Sequence, residues 1–233
     1  MNHTTRRTFL KQSTTLAAGS AALGLNLSSR AAGANERLVI GIIGPGGMGM
    51  NHLRGLAPLK DVAIAYVCDP DENRRNQAAD ETEKRSGARP KVVADMRRVF
   101  EDKSVDAVFI ATPDHWHAPA TLLACEAGKH VYVEKPCAHN IREGRLMLEA
   151  ARRNNRVVQV GTQSRSTAHV RRAIELIHGG AIGEVLVAKV WNSQLRGNIG
   201  RAKPSAPPAH LDFELWLGPV PAVPYQSNLL HSS

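Results

Sequence analysis

The chain has 233 residues, 42% hydrophobic and 22% charged, a balance that suits a globular protein with a real core and excludes a disordered or membrane-filling chain. Its formal charge is +9, but Arg6, Arg7, Lys11 and Arg30 all lie in the first 34 residues, which contain no acid, leaving +5 for the remainder. No Lys/Arg block is interleaved with aromatics, so the composition points away from a nucleic-acid partner.

The N-terminus reads as an address. Thr5-Arg6-Arg7-Thr8-Phe9-Leu10-Lys11 resembles a twin-arginine export signal, a moderately apolar stretch runs from Thr14 to Leu27, and Ala32-Gly33-Ala34 offers an A-x-A cleavage site. Residues 1–34 are expected to be a signal peptide, with the mature chain starting near Asn35 and exported already folded, to the periplasm or another extracytoplasmic space. The apolar stretch is diluted by Ala, Gly, Ser and Thr and is a poor candidate for a permanent membrane span.

From Leu38 the chain alternates strand and helix signals. The apolar run Leu38–Ile43 leads into Gly44-Pro45-Gly46-Gly47-Met48-Gly49, and a helix pattern follows over Gly47–Ala57. A second apolar run, Val62–Cys68, ends in Asp69, twenty residues after Gly49. Strand, G-x-G-x-x-G, helix and acid in this order predict a dinucleotide-binding β-α-β unit. Gly44 permits the tight turn, Gly46 lets the backbone approach a pyrophosphate, and Gly49 lets helix and strand pack. The free N–H groups at the helix start attract the diphosphate. Asp69 would accept from ribose hydroxyls and repel a 2′-phosphate, which predicts NAD over NADP without excluding the latter. Arg74 and Arg75 stand near enough to oppose that preference but are expected on a solvated helix face.

The pattern continues with helix Asp71–Ser86, strand Lys91–Val93, a short helix over Asp95–Phe100, strand Ala107–Ala111 and helix Trp116–Ala127. Gly128 stands where a left-handed cap would sit. Strand His130–Glu134 precedes helix Ile141–Asn154, which Asn140 and Glu143 would cap, and strand Val157–Val160 follows. The strands lack strict alternation, as expected of parallel strands covered on both faces. The predicted fold is therefore α/β: a Rossmann-like, doubly wound parallel sheet over residues 35–160, with ligands at the carboxyl ends of its strands. Residues 161–233 read as the start of an α+β second domain, with a helix over Thr167–His178, an alternating strand over Glu184–Asn192, and a Pro-, Ala- and Gly-rich stretch over Ser193–Pro224 interrupted by Leu211–Gly218, and residues from about Ser193 onward are expected to be poorly ordered.

Cys68, Cys125 and Cys137 are odd in number and lack C-x-x-C spacing, so they read as free thiols. His115 and His117 form an H-x-H pair, but no cysteine or acid stands at zinc-ligand spacing, so no metal site is predicted. Trp116 between them reads as a packing anchor.

Two further segments join the glycine loop: Ala111-Thr112-Pro113-Asp114-His115-Trp116-His117 and Glu134-Lys135-Pro136. With G-x-G-x-x-G, A-T-P-x-x-x-H and E-K-P in this order, the chain resembles the Gfo/Idh/MocA family (glucose–fructose oxidoreductase, inositol dehydrogenase) from Leu38 to Gly218. The resemblance implies that Thr112, Pro113, His115 and His117 border the ribose and nicotinamide of the cofactor. It implies that Glu134 contacts the nicotinamide-side ribose and that Lys135, before an often cis Pro136, points at the reacting carbon. Gln163 and Arg165 would lie near the cleft between domains. From the residues alone, Lys135 stands at the ligand edge of the sheet, where an amine can polarise or deprotonate a hydroxyl.

The resemblance implies an oxidoreductase that transfers a hydride between nicotinamide and a sugar, cyclitol or related polyol. A redox-assisted glycoside hydrolase and a catalytically incomplete nucleotide-binding fragment are the alternatives, and a homo-oligomer is compatible with each. The family continues into a large open sheet that completes the substrate pocket, and His210 and His231 match none of its motifs. The sequence therefore predicts a chain truncated in that domain, with a whole cofactor site and little turnover on its own.

Overall fold

The computed structural model describes residues 37–193 and 197–229; the twin-arginine segment and His231 lie outside the described residues. Six strands form one parallel sheet: β1 (Leu38–Ile43), β2 (Val62–Cys68), β3 (Lys91–Val93), β4 (Ala107–Ile110), β5 (His130–Glu134) and β6 (Val158–Gly161), in the order β3-β2-β1-β4-β5-β6. This is the doubly wound order, which reverses direction between β1 and β4 and so opens a crevice at their carboxyl ends.

The helices are α1 (Gly47–Leu56), α2 (Glu72–Ser86), α3 (Arg97–Glu101), α4 (Asp114–Glu126), α5 (Ile141–Arg153), α6 (Ala168–His178) and α7 (Phe213–Leu217). A short 3-10 turn, Gln163–Ser166, follows β6. The sheet is buried on both faces. Ile40 and Ile42 of β1 pack with Met50 and Leu53 of α1 and with Ala78 and Ala79 of α2. Ile43 packs on the opposite face with Val99 and Phe100 of α3, Ala118 and Ala124 of α4, and Met147 of α5. Fully burying such aliphatic side chains stabilises the sheet by about 1.5–3 kcal/mol apiece.

Local chemistry fixes the helix ends. The Asp71 carboxylate accepts from the N–H groups of Asn73 and Arg74 at the start of α2, and Gly87 closes it in the left-handed region at φ 74°. Asn140 Oδ1 accepts from the Glu143 N–H, while Glu143 reaches back to the His139 N–H, a capping box displaced by one residue. Gly128 is left-handed at φ 77°, as expected. Helix α4 starts at Asp114 rather than Trp116, because Pro113 presets the backbone immediately before it (φ −57°).

Two expectations fail. No described strand forms over 184–192; Leu186, Val187, Val190 and Trp191 are exposed. An alternating strand needs a neighbour to pair its backbone and cover its apolar face, and no described residue supplies one. The region after Ser193 is also not uniformly loose: Leu211, Leu217 and Tyr225 are buried, and residues 208–218 dock on the sheet unit. Among the described residues no helix is long and apolar enough to cross a membrane.

Candidate cofactor and active site

The glycine loop is shaped by contact. Gly44 is left-handed at φ 77°, and a Cβ there would lie 2.6 Å from the Thr112 backbone nitrogen. Its N–H donates to the Cys68 carbonyl (2.9 Å), tying the loop to the end of β2. A Cβ on Gly49 would overlap the Gly44 carbonyl oxygen, so only glycine lets α1 sit this close to the turn. Gly46 leaves its Cβ side open except for Arg74, whose Nη1 lies 2.9 Å from where a Cβ would be. No side chain caps the N-terminus of α1, so the N–H groups of its first turn, which holds exposed Gly47 and half-buried Met48, remain for an anion.

Asp69 directly follows β2 and is only 6% exposed. Its Oδ1 accepts from the Asp71 N–H (2.8 Å), which fixes the carboxylate within the bend that starts α2. Burial pushes its pKa up from 3.8 to about 6, against the pull of the Asp71 N–H and the Arg74 and Arg75 guanidiniums. The two arginines are not simply solvated. Arg75 donates to the carbonyls of Asp69 (3.2 Å) and Pro70 (3.3 Å), bracing the bend from beneath. Arg74 leans over the glycine loop, because α2 begins two residues before it and carries that face toward α1.

These groups surround a cleft at the β1/β4 switch point. Gly44, Gly46, Asp69, Arg74, Thr112 and Pro113 line it. The Thr112 hydroxyl is buried and finds no partner among the described residues. A phosphate cradle, an acid for ribose, an orphaned hydroxyl and an apolar wall fit an adenine dinucleotide.

At the neighbouring strand end, Glu134 is 4% exposed. One of its oxygens lies 2.8 Å from His52 Nε2 and the other accepts from the Lys135 N–H (3.2 Å). Gly161 on β6 is pressed against it; a Cβ there would be 2.8 Å from Glu134 Oε1. The Lys135–Pro136 bond is cis. Lys135 is exposed, and its ammonium has no partner among the described residues. Gln163 and Arg165 are exposed on the 3-10 turn beyond β6.

A family model described as an oxidoreductase family with an NAD-binding Rossmann fold matches residues 38–162, more than half of the chain. The chain is a Gfo/Idh/MocA oxidoreductase-family member. It is 34% identical over 151 residues to inositol 2-dehydrogenase 3 of Saccharopolyspora erythraea, covering 64% of this chain and 43% of that protein. It is 27% identical over 207 residues to glycosyl hydrolase family 109 protein 1 of a Shewanella strain, covering 80% of this chain and 45% of the relative. Scyllo-inositol dehydrogenase of Lactobacillus casei, solved with NAD(H) and scyllo-inositol, superposes with a TM-score of 0.58 at 26% identity, over 64% of this chain and 43% of that one. The chain thus spans less than half the length of each of these relatives.

Within this Gfo/Idh/MocA fold the three expected motifs converge on one sheet edge, but not every residue faces the cleft. His117 is 1% exposed and sits behind it, its ring nitrogens 2.6 Å from the Pro136 carbonyl and 2.8 Å from the Thr112 carbonyl. It braces the A-T-P and E-K-P segments against each other and has no ring nitrogen left for a ligand, because the first turn of α4 aims it inward. His115 Nε2 lies 2.9 Å from the Trp216 carbonyl, engaged by a segment far along the chain. Trp116 is the anchor expected, its indole N–H donating to the same carbonyl (3.0 Å). Sequence reading missed His52, three residues after Gly49 and so on the same face of α1, and missed residues 208–218.

Proposed function

We infer that the chain carries the NAD(P)-binding part of an oxidoreductase acting on a sugar, cyclitol or related polyol. Residues 35–160 serve as the nucleotide domain and residues after 160 lead toward the substrate. The observation that carries this reading is Lys135: an ammonium with no partner among the described residues, at the carboxyl end of β5, on the edge that also presents the glycine loop and Asp69. The α1 N-terminus would hold the pyrophosphate, Asp69 the adenosine ribose, and Thr112, Pro113 and Glu134 the nicotinamide side. A bound nicotinamide would supply the hydride acceptor or donor. Lys135 would then orient the substrate hydroxyl and take or return its proton. His52 and Gly161 hold Glu134 in place, and His117 holds the two loops on either side of the reacting position. Asp69 favours NAD by repelling a 2′-phosphate; Arg74 works against it.

Incubating the protein with NAD and a panel of cyclitols and sugars tests this. Nucleotide reduction that Lys135→Met abolishes supports the assignment, whereas reduction that survives the substitution removes Lys135 from the role. The likeness to a glycosyl hydrolase family 109 protein favours one alternative: transient oxidation with return of the hydride and net glycoside cleavage. Cleavage of a chromogenic glycoside without accumulation of reduced nucleotide would identify it.

The basic Thr5–Lys11 segment, the diluted apolar stretch and Ala32-Gly33-Ala34 support export in folded form by the twin-arginine route. N-terminal sequencing of the exported protein should begin near Asn35; an unprocessed chain retained in the cytoplasm would overturn this. Such export would favour an enzyme that keeps its nucleotide once loaded.

A further inference from the structure

We propose that residues 208–218 form a strap across the adenosine end of the cleft, with Leu215 and Trp216 contacting the base, and that this strap sets how slowly the nucleotide leaves. The proposal rests on reading the cleft as an NAD(P) site and goes beyond it by assigning a binding role to a segment outside the β-α-β frame.

The strap is fastened at both ends. On the β2 side, Leu211 makes an antiparallel bridge with Asp71, the Glu72 N–H donates to the His210 carbonyl (2.8 Å), and the Asp212 N–H donates to the Pro70 carbonyl (3.2 Å). These are the residues that follow Asp69. On the β4 side, the Trp216 carbonyl receives the Trp116 indole N–H (3.0 Å) and faces His115 Nε2 (2.9 Å). Leu217 is buried beside them, and Gly218 lies against the Trp116 indole with no room for a Cβ. The strap therefore spans the ends of β2 and β4, the two strands that flank the β1 glycine loop.

Three of its side chains, Leu211, Leu215 and Trp216, line the cleft together with Ile43, Met96 and Pro113. This apolar lining suits the faces of a purine, and Asp69, on the same cleft, would receive the ribose. Trp216 is held in its orientation by Phe213, stacked at 5.7 Å, and by the His115 ring at 5.3 Å. Phe213 in turn meets Tyr225 edge-on, and the Ser205 N–H donates to the Tyr225 carbonyl (3.0 Å), so the chain on either side of the strap is tied together. An adenosine seated there would rest against Leu215 and Trp216, and losing that contact would speed its departure.

The test uses the full chain loaded with NADH, with release followed by nicotinamide fluorescence after mixing with excess NAD. Trp216→Ala and Leu215→Ala are each expected to speed release about tenfold, the loss expected for one apolar contact face. Binding of reduced nicotinamide mononucleotide, which lacks the adenosine, should be unchanged. In the unmodified chain, saturating ADP-ribose should slow chymotryptic cleavage at Phe213–Leu217, a readout that stands even where a variant fails to fold. Release within twofold of the parent, or cleavage unaffected by ADP-ribose, would overturn the strap and leave the cofactor assignment intact. Failure of the parent chain to bind any dinucleotide would overturn the cofactor assignment instead.

Discussion

Replacing Asp69 by Asn should make the nucleotide-free protein more stable while weakening its hold on the nucleotide. The carboxyl is buried, and the folded chain raises its pKa from 3.8 to about 6, chiefly by desolvation. The folded state therefore keeps the proton to higher pH than the unfolded chain does. The penalty is absent below the ordinary value, grows between the two, and is complete above the folded value. At about 1.36 kcal/mol per pH unit it reaches about 3 kcal/mol at most. The amide keeps the oxygen that accepts from the Asp71 N–H but cannot ionise. Urea unfolding at about pH 8 should show Asp69→Asn more stable by up to about 3 kcal/mol, or about 6–12 °C in Tm, and the difference should vanish near pH 4. Calorimetric NAD binding by the same variant should weaken by about 1.5–3 kcal/mol, the worth of a hydrogen bond to a charged acceptor. A variant no more stable than the parent at high pH, or equally favoured at both, would refute the reasoning.

Three further substitutions separate packing from chemistry. Gly49→Ala places a methyl on the Gly44 carbonyl and should cost at least about 2 kcal/mol in urea unfolding, with loss of nucleotide binding; a neutral effect would mean that the loop is not fixed by this contact. His52→Ala leaves the Glu134 carboxylate buried without its side-chain partner and should destabilise by about 1–3 kcal/mol, measured by thermal unfolding. Lys135→Met should change stability by less than about 0.5 kcal/mol, since the ammonium is exposed and has no partner among the described residues, so any loss of turnover would report on chemistry.

What was legible in the sequence is what local sterics dictate. The bounds of β1, β2, β3 and β5 match the apolar runs, β4 is shorter by one residue at its end, and β6 is shifted by one residue at both ends. Gly44, Gly49 and Asp69 were readable because the turn, the close helix approach and the acid all lie within one β-α-β unit. Tertiary pairing was not readable. His52 gains its meaning from Glu134, 82 residues later. His115 and Trp116 gain theirs from the Trp216 carbonyl, about a hundred residues on. Arg74 and Arg75 read as solvated because helix spacing alone does not reveal that α2 starts against the glycine loop. The strap carried a weak local signal, Asp212 capping the short apolar turn before Gly218, but nothing in its periodicity names the surface it covers. The strand expected at 184–192 shows the converse: alternation states a preference, and a neighbouring strand decides whether it is realised.

Whether the glycine loop and Asp69 hold a dinucleotide is measured by titrating the purified chain with NAD and with NADP in a calorimeter. Saturable heat is expected, with one nucleotide per chain and NAD the tighter of the two. A folded, monodisperse sample that takes up neither nucleotide would contradict it.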